Sequence, residues 1–320
     1  MTSAPAQTLL KVADLALKFR AGNRVVHALR GVSFSLAPSE ILAIVGESGS
    51  GKSVTGLSLL RLHGKNAELQ GQINLSGEDL NAKSEAEMRK IRGRRIAMIF
   101  QEPMTALNPV FTVGFQLNEV LTLHMGLSPK DARSEAIRLM GKVGIPEPEL
   151  RLGSYPFQLS GGMRQRVLIA MALAAKPEIL IADEPTTALD VTIQSQILRL
   201  LREINEREKT SMIFITHDLG IVARLAHRVA VMYAGEIVET GTVAEIFAAP
   251  KHPYTRALLA SVADVPRGSR LSAIPGSPPQ LSEAIHGCAF APRCSFAEPA
   301  CRQTIPLRAA EGHEWRCIHE

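Results

Sequence analysis

Hydrophobic and polar residues alternate along the first part of the chain and then give way to short apolar runs. Segments 9–19 and 24–36 alternate with a period of two, which predicts antiparallel strands with one buried face. The apolar runs are ILAIV (41–45), IAMIF (96–100), ILIAD (179–183), MIFIT (212–216) and VAVMY (229–233). Such runs suit strands buried on both faces of a parallel sheet. Because segments 130–143 and 191–206 show helical spacing and 161–174 continues apolar, we expect an α/β fold with an antiparallel addition.

The composition changes after about residue 240, where prolines divide the chain into short pieces. We place a domain boundary near residues 235–245. The segment 241–320 is predicted to be a loop-rich appendage, because it has too few long apolar elements for a good core of its own.

Apolar run length and net charge limit the classes of protein to which this chain can belong. The longest apolar run, 167–175, is about half of the ~18 residues that a membrane-spanning helix needs, so we expect no spanning helix. The N-terminus lacks a cationic start followed by an apolar block, and we expect no secretory signal. The net charge of +5 permits contact with acidic partners or an anionic membrane surface without requiring either.

A glycine-rich segment follows the apolar run 41–45 directly. Residues 46–53 read GESGSGKS and match the phosphate-binding pattern G-x-x-x-x-G-K-[ST] between a strand and a helix, a context that disfavours a mere glycine-rich turn. We expect Lys52 to reach the β- and γ-phosphates of a nucleotide and the Ser53 hydroxyl to ligate Mg²⁺. The residues predicted to bind the nucleotide here are Gly46, Ser48, Gly49, Ser50, Gly51, Lys52, Ser53 and Val54.

A second buried run, ILIAD, ends in Asp183, and Glu184 follows it. A carboxylate at the end of such a strand can hold Mg²⁺, and the adjacent carboxylate can orient or deprotonate an attacking water. Alone, the pair could equally cap the next helix. In a chain with a phosphate-binding loop, it is the expected second half of a nucleoside triphosphatase.

Several further segments resemble the ATP-binding cassette (ABC) ATPases. LSGGMRQR (159–166) is similar to the signature motif of that family, Gln101 matches the Q-loop, Ala188-Leu189-Asp190 match the D-loop, and His217 matches the switch histidine. The motifs follow the order of the family and cover residues 1 to about 240.

The resemblance implies a fold and a domain division. Residues 1–240 would form an ABC nucleotide-binding domain with a mixed central sheet, an antiparallel β subdomain and an α-helical subdomain at about 102–175. The fold class is therefore a P-loop NTPase cassette of the ABC type, with the small loop-rich appendage at 241–320.

The resemblance also implies that two cassettes hold ATP between them. Ser160, Gly161 and Gly162 would contact the γ-phosphate of ATP that is bound by the partner cassette. This agrees with their place at the start of a helix, which is an anion-binding end. Asp190 would bridge the interface between the cassettes.

Catalytic roles follow from the same resemblance. Glu184 would be the base, His217 would contact the γ-phosphate, Gln101 would sense Mg²⁺ and the attacking water, and Lys52 would hold the phosphates. Taken alone, a histidine at a strand end usually has only a structural role. Phe19 is the candidate for stacking on adenine, although it could equally belong to the core.

The segments FQEPMTALNP (100–109), HPYTRALL (252–259) and the proline-rich tail narrow the resemblance to ATPase subunits of bacterial di- and oligopeptide importers. Nickel importers share the same appendage and stay an alternative. The resemblance implies peripheral attachment to the cytoplasmic face of the inner membrane. The implied partners are a second ABC ATPase subunit forming a heterodimer, two transmembrane permease subunits and an extracytoplasmic substrate-binding protein. Pro103, Asn108 and Pro109 would contact a permease helix or would only shape a turn.

All four cysteines, Cys288, Cys294, Cys301 and Cys317, lie near the C-terminal end of the sequence. Clustered cysteines in a cytosolic protein favour metal ligands over disulfides. Four thiolates suit an iron–sulfur cluster or Zn²⁺, and His286, His313 and His319 keep mixed ligation open. Because some proteins that this tail resembles hold a [4Fe–4S] cluster, we predict that cluster, with Zn²⁺ or inert or redox-active thiols as alternatives. The metal would stabilise the fold of the appendage, or it would serve as a sensor that regulates transport.

A basic run at 88–95 raises the question of nucleic-acid binding. It lacks interleaved aromatic residues and leads into a buried strand, so we favour a solvated face or a face near lipid headgroups and expect no nucleic-acid partner. The alternative of a soluble cassette ATPase acting on nucleic acid or ribosomes is disfavoured, since such proteins carry two cassettes or a long coiled coil.

Overall fold

The computed structural model describes residues 8–22, 24–187, 189–261, 274–283 and 285–319. Its strands are β1 (Leu10–Ala21), β2 (Arg24–Leu36), β3 (Ile41–Val45), β4 (Ala67–Leu75), β5 (Glu78–Asp79), β6 (Ile96–Ile99), β7 (Ile179–Asp183), β8 (Ser211–Thr216), β9 (Arg228–Tyr233), β10 (Glu236–Thr242), β11 (Arg308–Ala310) and β12 (His313–Trp315). Its helices are α1 (Lys52–Leu59), α2 (Glu85–Ile91), α3 (Pro103–Ala106), α4 (Val113–Met125), α5 (Pro129–Lys142), α6 (Pro148–Arg151), α7 (Gly161–Leu173), α8 (Val191–Glu208), α9 (Leu219–Leu225), α10 (Val243–Ala248) and α11 (Pro253–Ala260). The chain divides into two compact units, Met1–Ala82 with Phe214–Glu320 and Lys83–Ile213.

The first unit contains an antiparallel sheet in the order β2-β1-β4-β5. In β1, Leu10 lies opposite Leu36 of β2 on one side and opposite Leu75 of β4 on the other. All three side chains are fully buried, as expected where alternating apolar positions meet on one face. The antiparallel strands predicted from the alternation are confirmed.

A second sheet of the first unit runs in the order β11-β12-β10-β9-β3. β3 and β9 are parallel, with Leu42 opposite Arg228, whereas β9 and β10 form an antiparallel hairpin. β12 then pairs antiparallel with β10, where Trp315 lies opposite Glu239. The sheet is therefore mixed, and residues of the appendage form two of its strands.

The appendage shares a hydrophobic core with the sheet of the first unit. Phe290 is buried against Tyr233 of β9 and Tyr254 of α11, with ring centroids 5.4 and 5.3 Å away. The two tyrosine rings also contact each other at 4.6 Å. This packing explains how a segment without long apolar elements can be ordered. The domain division at residues 240 and 241 stays a prediction.

The second unit contains the parallel pair β6 and β7, with Ile96 opposite Ile179, and the helices α2 to α8. The amphipathic patterns at 130–143 and 191–206 correspond to α5 and α8, which begin at N-cap residues Ser128 and Asp190. Both helical predictions are confirmed. Across the described ranges, no helix combines the length and apolar character needed to cross a membrane.

Candidate functional site

The predicted phosphate-binding segment forms a loop between β3 and α1 in the first unit. Gly46 has a positive φ of 156°, and a Cβ there would lie 2.1 Å from the carbonyl oxygen of Met232, so only glycine fits. Gly51 caps α1 with φ 104°, in the left-handed region that favours glycine. The loop thus leads directly into the N-terminal end of α1, which is the arrangement that binds phosphate.

Two polar side chains of this segment, those of Ser50 and Lys52, are buried. Lys52 is buried, and its Nζ donates to the carbonyl oxygens of Gly46 and Glu47 at 2.8 and 2.9 Å. The Ser50 Oγ is buried without a hydrogen-bond partner, whereas Ser48 at the loop surface is exposed. The buried Ser50 hydroxyl without a partner, in the same segment as the buried Lys52 ammonium, fits a site for phosphate, since a buried polar atom without a hydrogen bond is costly.

Glu47 carries contacts that sequence reasoning missed. Its carboxylate accepts two hydrogen bonds from Arg293, at 2.6 and 3.0 Å, and its backbone N–H donates to the Tyr254 hydroxyl at 2.8 Å. Both partners follow Glu47 by more than 200 positions, and no local pattern marks the relation. Burial raises the pKa of Tyr254 well above its usual value, so this hydroxyl stays neutral.

In the second unit, the end of β7 carries the predicted carboxylates. Asp183 is buried, and the next residue, Glu184, has a positive φ of 44°. Its carboxylate accepts hydrogen bonds from Gln101 Nε2 at 3.0 Å and from Thr187 Oγ1 at 2.9 Å. Gln101 and Glu184 are thus brought together as two groups that can both contact one water. Thr187 was not predicted from the sequence.

The signature segment and the segment that contains Asp190 are neighbours within the second unit. Ser160 caps α7, where its Oγ accepts from the Met163 N–H at 3.3 Å, and Asp190 caps α8. A Cβ on Gly162 would lie 2.7 Å from Ile193 Cγ2, and one on Gly161 would lie 3.7 Å from a Leu189 methyl. The two glycines allow the first turns of α7 and α8 to approach closely. Ala188, which we assigned to the D-loop, lies outside the described residues.

Three further predicted residues, His217, Phe19 and Val54, lie in the first unit. His217 directly follows β8 and is exposed, and Asp218 next to it caps α9. Phe19 in β1 is half-buried and lies opposite Val26 of β2 and Ala67 of β4. Val54, in the first turn of α1, is also half-buried. The partial exposure of Phe19 distinguishes it from the fully buried core leucines of the same strand.

The predicted [4Fe–4S] cluster is wrong. Among the described residues, no group of three or more His, Cys, Asp or Glu is placed to hold a metal ion. Burial raises the pKa of Cys288 to about 11 and also raises those of Cys294 and Cys317, so these thiols stay protonated at neutral pH. The alternative Zn²⁺ site meets the same objection, and so does a metal sensor. The four cysteines, Cys301 included, are free thiols.

Two of the three histidines considered for mixed ligation, His313 and His319, have other partners. His313 Nε2 lies 2.7 Å from a Glu239 carboxylate oxygen, and His319 Nε2 lies 2.8 Å from the Phe296 carbonyl oxygen. His286 lines a cavity of about 350 Å³ in the first unit. The spacing of the cysteines suggested that a bound metal stabilises the appendage. In the structure, the aromatic packing around Phe290 provides this stabilisation.

Comparison with known proteins identifies two family regions. The ABC transporter family matches residues 29–187, and the C-terminal region of oligopeptide/dipeptide transporters matches residues 238–301. The probable peptide ABC transporter ATP-binding protein y4tR of Sinorhizobium fredii is 52% identical over 98% of this chain and 95% of its own. The oligopeptide transport ATP-binding protein OppD of Bacillus subtilis is 55% identical over 90% of this chain and 82% of its own.

Solved structures confirm the predicted cassette fold. The ATP-binding cassette MJ0796, in a dimeric post-hydrolysis state bound to ADP and Pi, matches with a TM-score of 0.66 and 28% identity, covering 73% of this chain and 98% of its own. CbiO1 from Clostridium perfringens matches with a TM-score of 0.64 and 27% identity, covering 76% and 92%. The chain therefore belongs to the ATP-hydrolysing proteins of the ABC transporter family and carries the C-terminal region of the oligopeptide/dipeptide transporters.

Proposed function

We propose that this chain is the ATP-hydrolysing subunit that powers import of di- or oligopeptides through a membrane ABC transporter. The proposal rests on the presence, in the same chain, of a phosphate loop that leads into α1 and of an oligopeptide/dipeptide transporter region at 238–301. Relatives described as peptide ATP-binding proteins align with nearly the whole chain, which supports the same substrate class.

Residue roles follow from the geometry and the family. Lys52 binds the β- and γ-phosphates, and Ser53 with Asp183 would hold Mg²⁺, which neutralises phosphate charge. Glu184 accepts the proton of the attacking water, and Gln101, bonded to its carboxylate, orients that water. His217 contacts the γ-phosphate. Backbone N–H groups and polar side chains of the phosphate loop at 46–54 complete the binding of the triphosphate.

The second cassette contributes to each hydrolysis event in this proposal. Ser160, Gly161 and Gly162 at the start of α7 would contact the γ-phosphate held by a partner cassette, since a helix start binds anions. Asp190 would make contacts across the pair, and Phe19 would stack on adenine. The partner is a sister ATPase subunit, so that the working pair is a heterodimer.

The remaining partners follow from the transporter role. We place the chain at the cytoplasmic face of the inner membrane, attached through two transmembrane permease subunits and served by an extracytoplasmic substrate-binding protein. Pro103, Asn108 and Pro109, which follow Gln101, would contact the permease. The exposed side chains of Val110 and Phe111 next to them support a protein-contacting surface there.

The test is uptake by the transporter purified through a tag on this chain and reconstituted into vesicles. We expect ATP-dependent accumulation of labelled di- or oligopeptides, and no accumulation with Lys52→Ala. Accumulation of Ni²⁺ without peptide would overturn the peptide assignment in favour of the nickel alternative. Copurification with ribosomes or nucleic acid instead of permease subunits would overturn the transporter role altogether.

A further inference from the structure

The second residue of the phosphate loop is held by the appendage. The Glu47 carboxylate is bound by both terminal nitrogens of Arg293, at 2.6 and 3.0 Å, in a bidentate ion pair. The Arg293 side chain is only 4% exposed and that of Glu47 is 26% exposed. A charge-assisted bidentate pair shielded from solvent fixes geometry as well as contributing energy.

Arg293 is itself positioned by the appendage. Its Nε donates to the Pro275 carbonyl oxygen at 2.8 Å, and a terminal nitrogen donates to the Ile274 carbonyl oxygen at 3.3 Å. The guanidinium also lies 5.8 and 5.9 Å from the rings of Tyr233 and Phe290. The fold of the appendage therefore fixes the position of the Arg293 guanidinium, and the side chain is not free to change its rotamer.

The backbone of Glu47 is held from two further directions. Its N–H donates to the hydroxyl of the buried Tyr254, and its carbonyl oxygen accepts from Lys52 Nζ. Carboxylate, N–H and carbonyl of one loop residue are thus fixed by three different side chains. Two of these, Tyr254 and Arg293, lie within the oligopeptide/dipeptide transporter region at 238–301.

We propose that the appendage positions the phosphate loop through the ion pair between Arg293 and Glu47, and thereby raises the affinity of this chain for ATP. Arg293 is a positioning residue, since it acts on phosphate through Glu47. The loop binds ATP with backbone N–H groups, whose orientation must be set before or during binding. A loop held in the binding geometry loses less conformational entropy when ATP binds. The inference rests on the ATP-binding role of this loop.

The alternative is that the pair only attaches the appendage to the sheet. Loss of either partner would then lower the free energy of unfolding but leave ATP affinity unchanged. A positioning role instead raises the Kd and the KM for ATP while kcat stays nearly constant, because Glu184 and Gln101 are untouched. The two roles therefore differ in a quantity that can be measured on folded protein.

The experiment compares Arg293→Met, Glu47→Gln and the double variant, with Arg302→Met as a matched control on an exposed arginine of the appendage. The Kd for a fluorescent ATP analogue with Mg²⁺ is measured on the full chain, and KM and kcat on the purified transporter. We expect each single variant to raise the Kd about 10-fold and the double variant also about 10-fold, since both remove one interaction. The control should stay within about 2-fold of the parent.

Unchanged affinity in both single variants would overturn the inference, and so would an additive increase of about 100-fold in the double variant. If Arg293→Met does not fold, Glu47→Gln and the conservative Arg293→Lys, which keeps the charge but loses the bidentate geometry, carry the same test. If the parent chain itself fails to bind ATP, the assigned role of the loop is wrong, and the inference falls with it. Binding by the parent with unchanged variants overturns the inference alone.

Discussion

At the scale of single residues, Glu184 combines an uncommon backbone conformation with a carboxylate that is held by two hydrogen bonds. Its positive φ of 44° costs a non-glycine residue about 1 kcal/mol or more. Hydrogen bonds from Gln101 and Thr187 hold its carboxylate at 3.0 and 2.9 Å. The backbone turn after Asp183 therefore accompanies a carboxylate that is held by two donors, Gln101 and Thr187.

Replacing this carboxylate tests its role as base. We expect Glu184→Gln to lower kcat for ATP hydrolysis by about 10²–10⁴-fold with little change in ATP binding, because the amide cannot accept the proton. Steady-state hydrolysis by the purified transporter gives the value. Glu206→Gln, the same change at an exposed position of α8, is the control. Hydrolysis at the parental rate would show that Glu184 is not the base.

His252 links stability to pH. Burial, with a smaller contribution from Arg256, lowers its pKa from 6.5 to about 4. Its neutral Nδ1 accepts from the Tyr254 N–H at 3.1 Å at the start of α11. Between pH 6.5 and 4 the unfolded chain binds the proton and the folded chain does not. The free energy of unfolding should therefore fall by about 3 kcal/mol as pH decreases through this window.

Chemical unfolding at several pH values measures this loss. His252→Asn keeps a side chain that can cap α11 but does not titrate, so this variant should lose less stability between pH 6.5 and 4. Equal pH dependence in parent and variant would assign the effect to other groups.

At the scale of elements, the close approach of α7 and α8 depends on one missing methyl group. A Cβ on Gly162 would lie 2.7 Å from Cγ2 of Ile193, a β-branched side chain with little freedom to move. We expect Gly162→Ala to lower the free energy of unfolding by about 1–3 kcal/mol. Denaturant unfolding provides the measurement.

Gly161→Ala is the matched control, because its Cβ would meet Leu189 at an ordinary 3.7 Å. We expect this change to be neutral or to stabilise α7 by up to about 1 kcal/mol. Equal effects of the two substitutions would contradict the steric explanation.

Long periodic elements and short, almost wholly apolar strands such as β3 and β7 could be predicted from the sequence, whereas short strands without such a pattern could not. The alternation along β1 and the amphipathic spacing of α8 are visible because many residues repeat one pattern. β11 and β12 span only Arg308–Ala310 and His313–Trp315, too short to show a period. Their place in the sheet is set by pairing with β10, which lies far away in the chain.

At the scale of the molecule, the appendage depends on a core that it shares with β9, another part of the first unit. Phe290 is 3% exposed between Tyr233 and Tyr254. We expect Phe290→Ala to lower the free energy of unfolding by about 3–5 kcal/mol. The matched control is Phe296→Ala, since Phe296 is 56% exposed and should contribute little. Similar losses in thermal or denaturant unfolding would argue against a shared core.

The loop between β3 and α1 could be predicted because its pattern, GESGSGKS at 46–53, is a short run of adjacent residues. The contact of Glu47 with Arg293 could not, because no pattern relates residues that far apart. The cysteines show the opposite error. Their spacing resembled a ligand set, but spacing does not report where the fold places the side chains, and the described residues contain no group of three or more ligand residues placed to hold a metal ion.

The pairing of β12 with β10 has a consequence for protein synthesis. β12 follows β10 by roughly seventy residues, which a ribosome adds in about 4–15 s. During that interval the edge of β10 that β12 later covers has no partner strand. Exposed strand edges promote association between nascent chains. Chaperone demand should therefore concentrate in the seconds before residues 313–315 emerge, and slower translation of this stretch would prolong it.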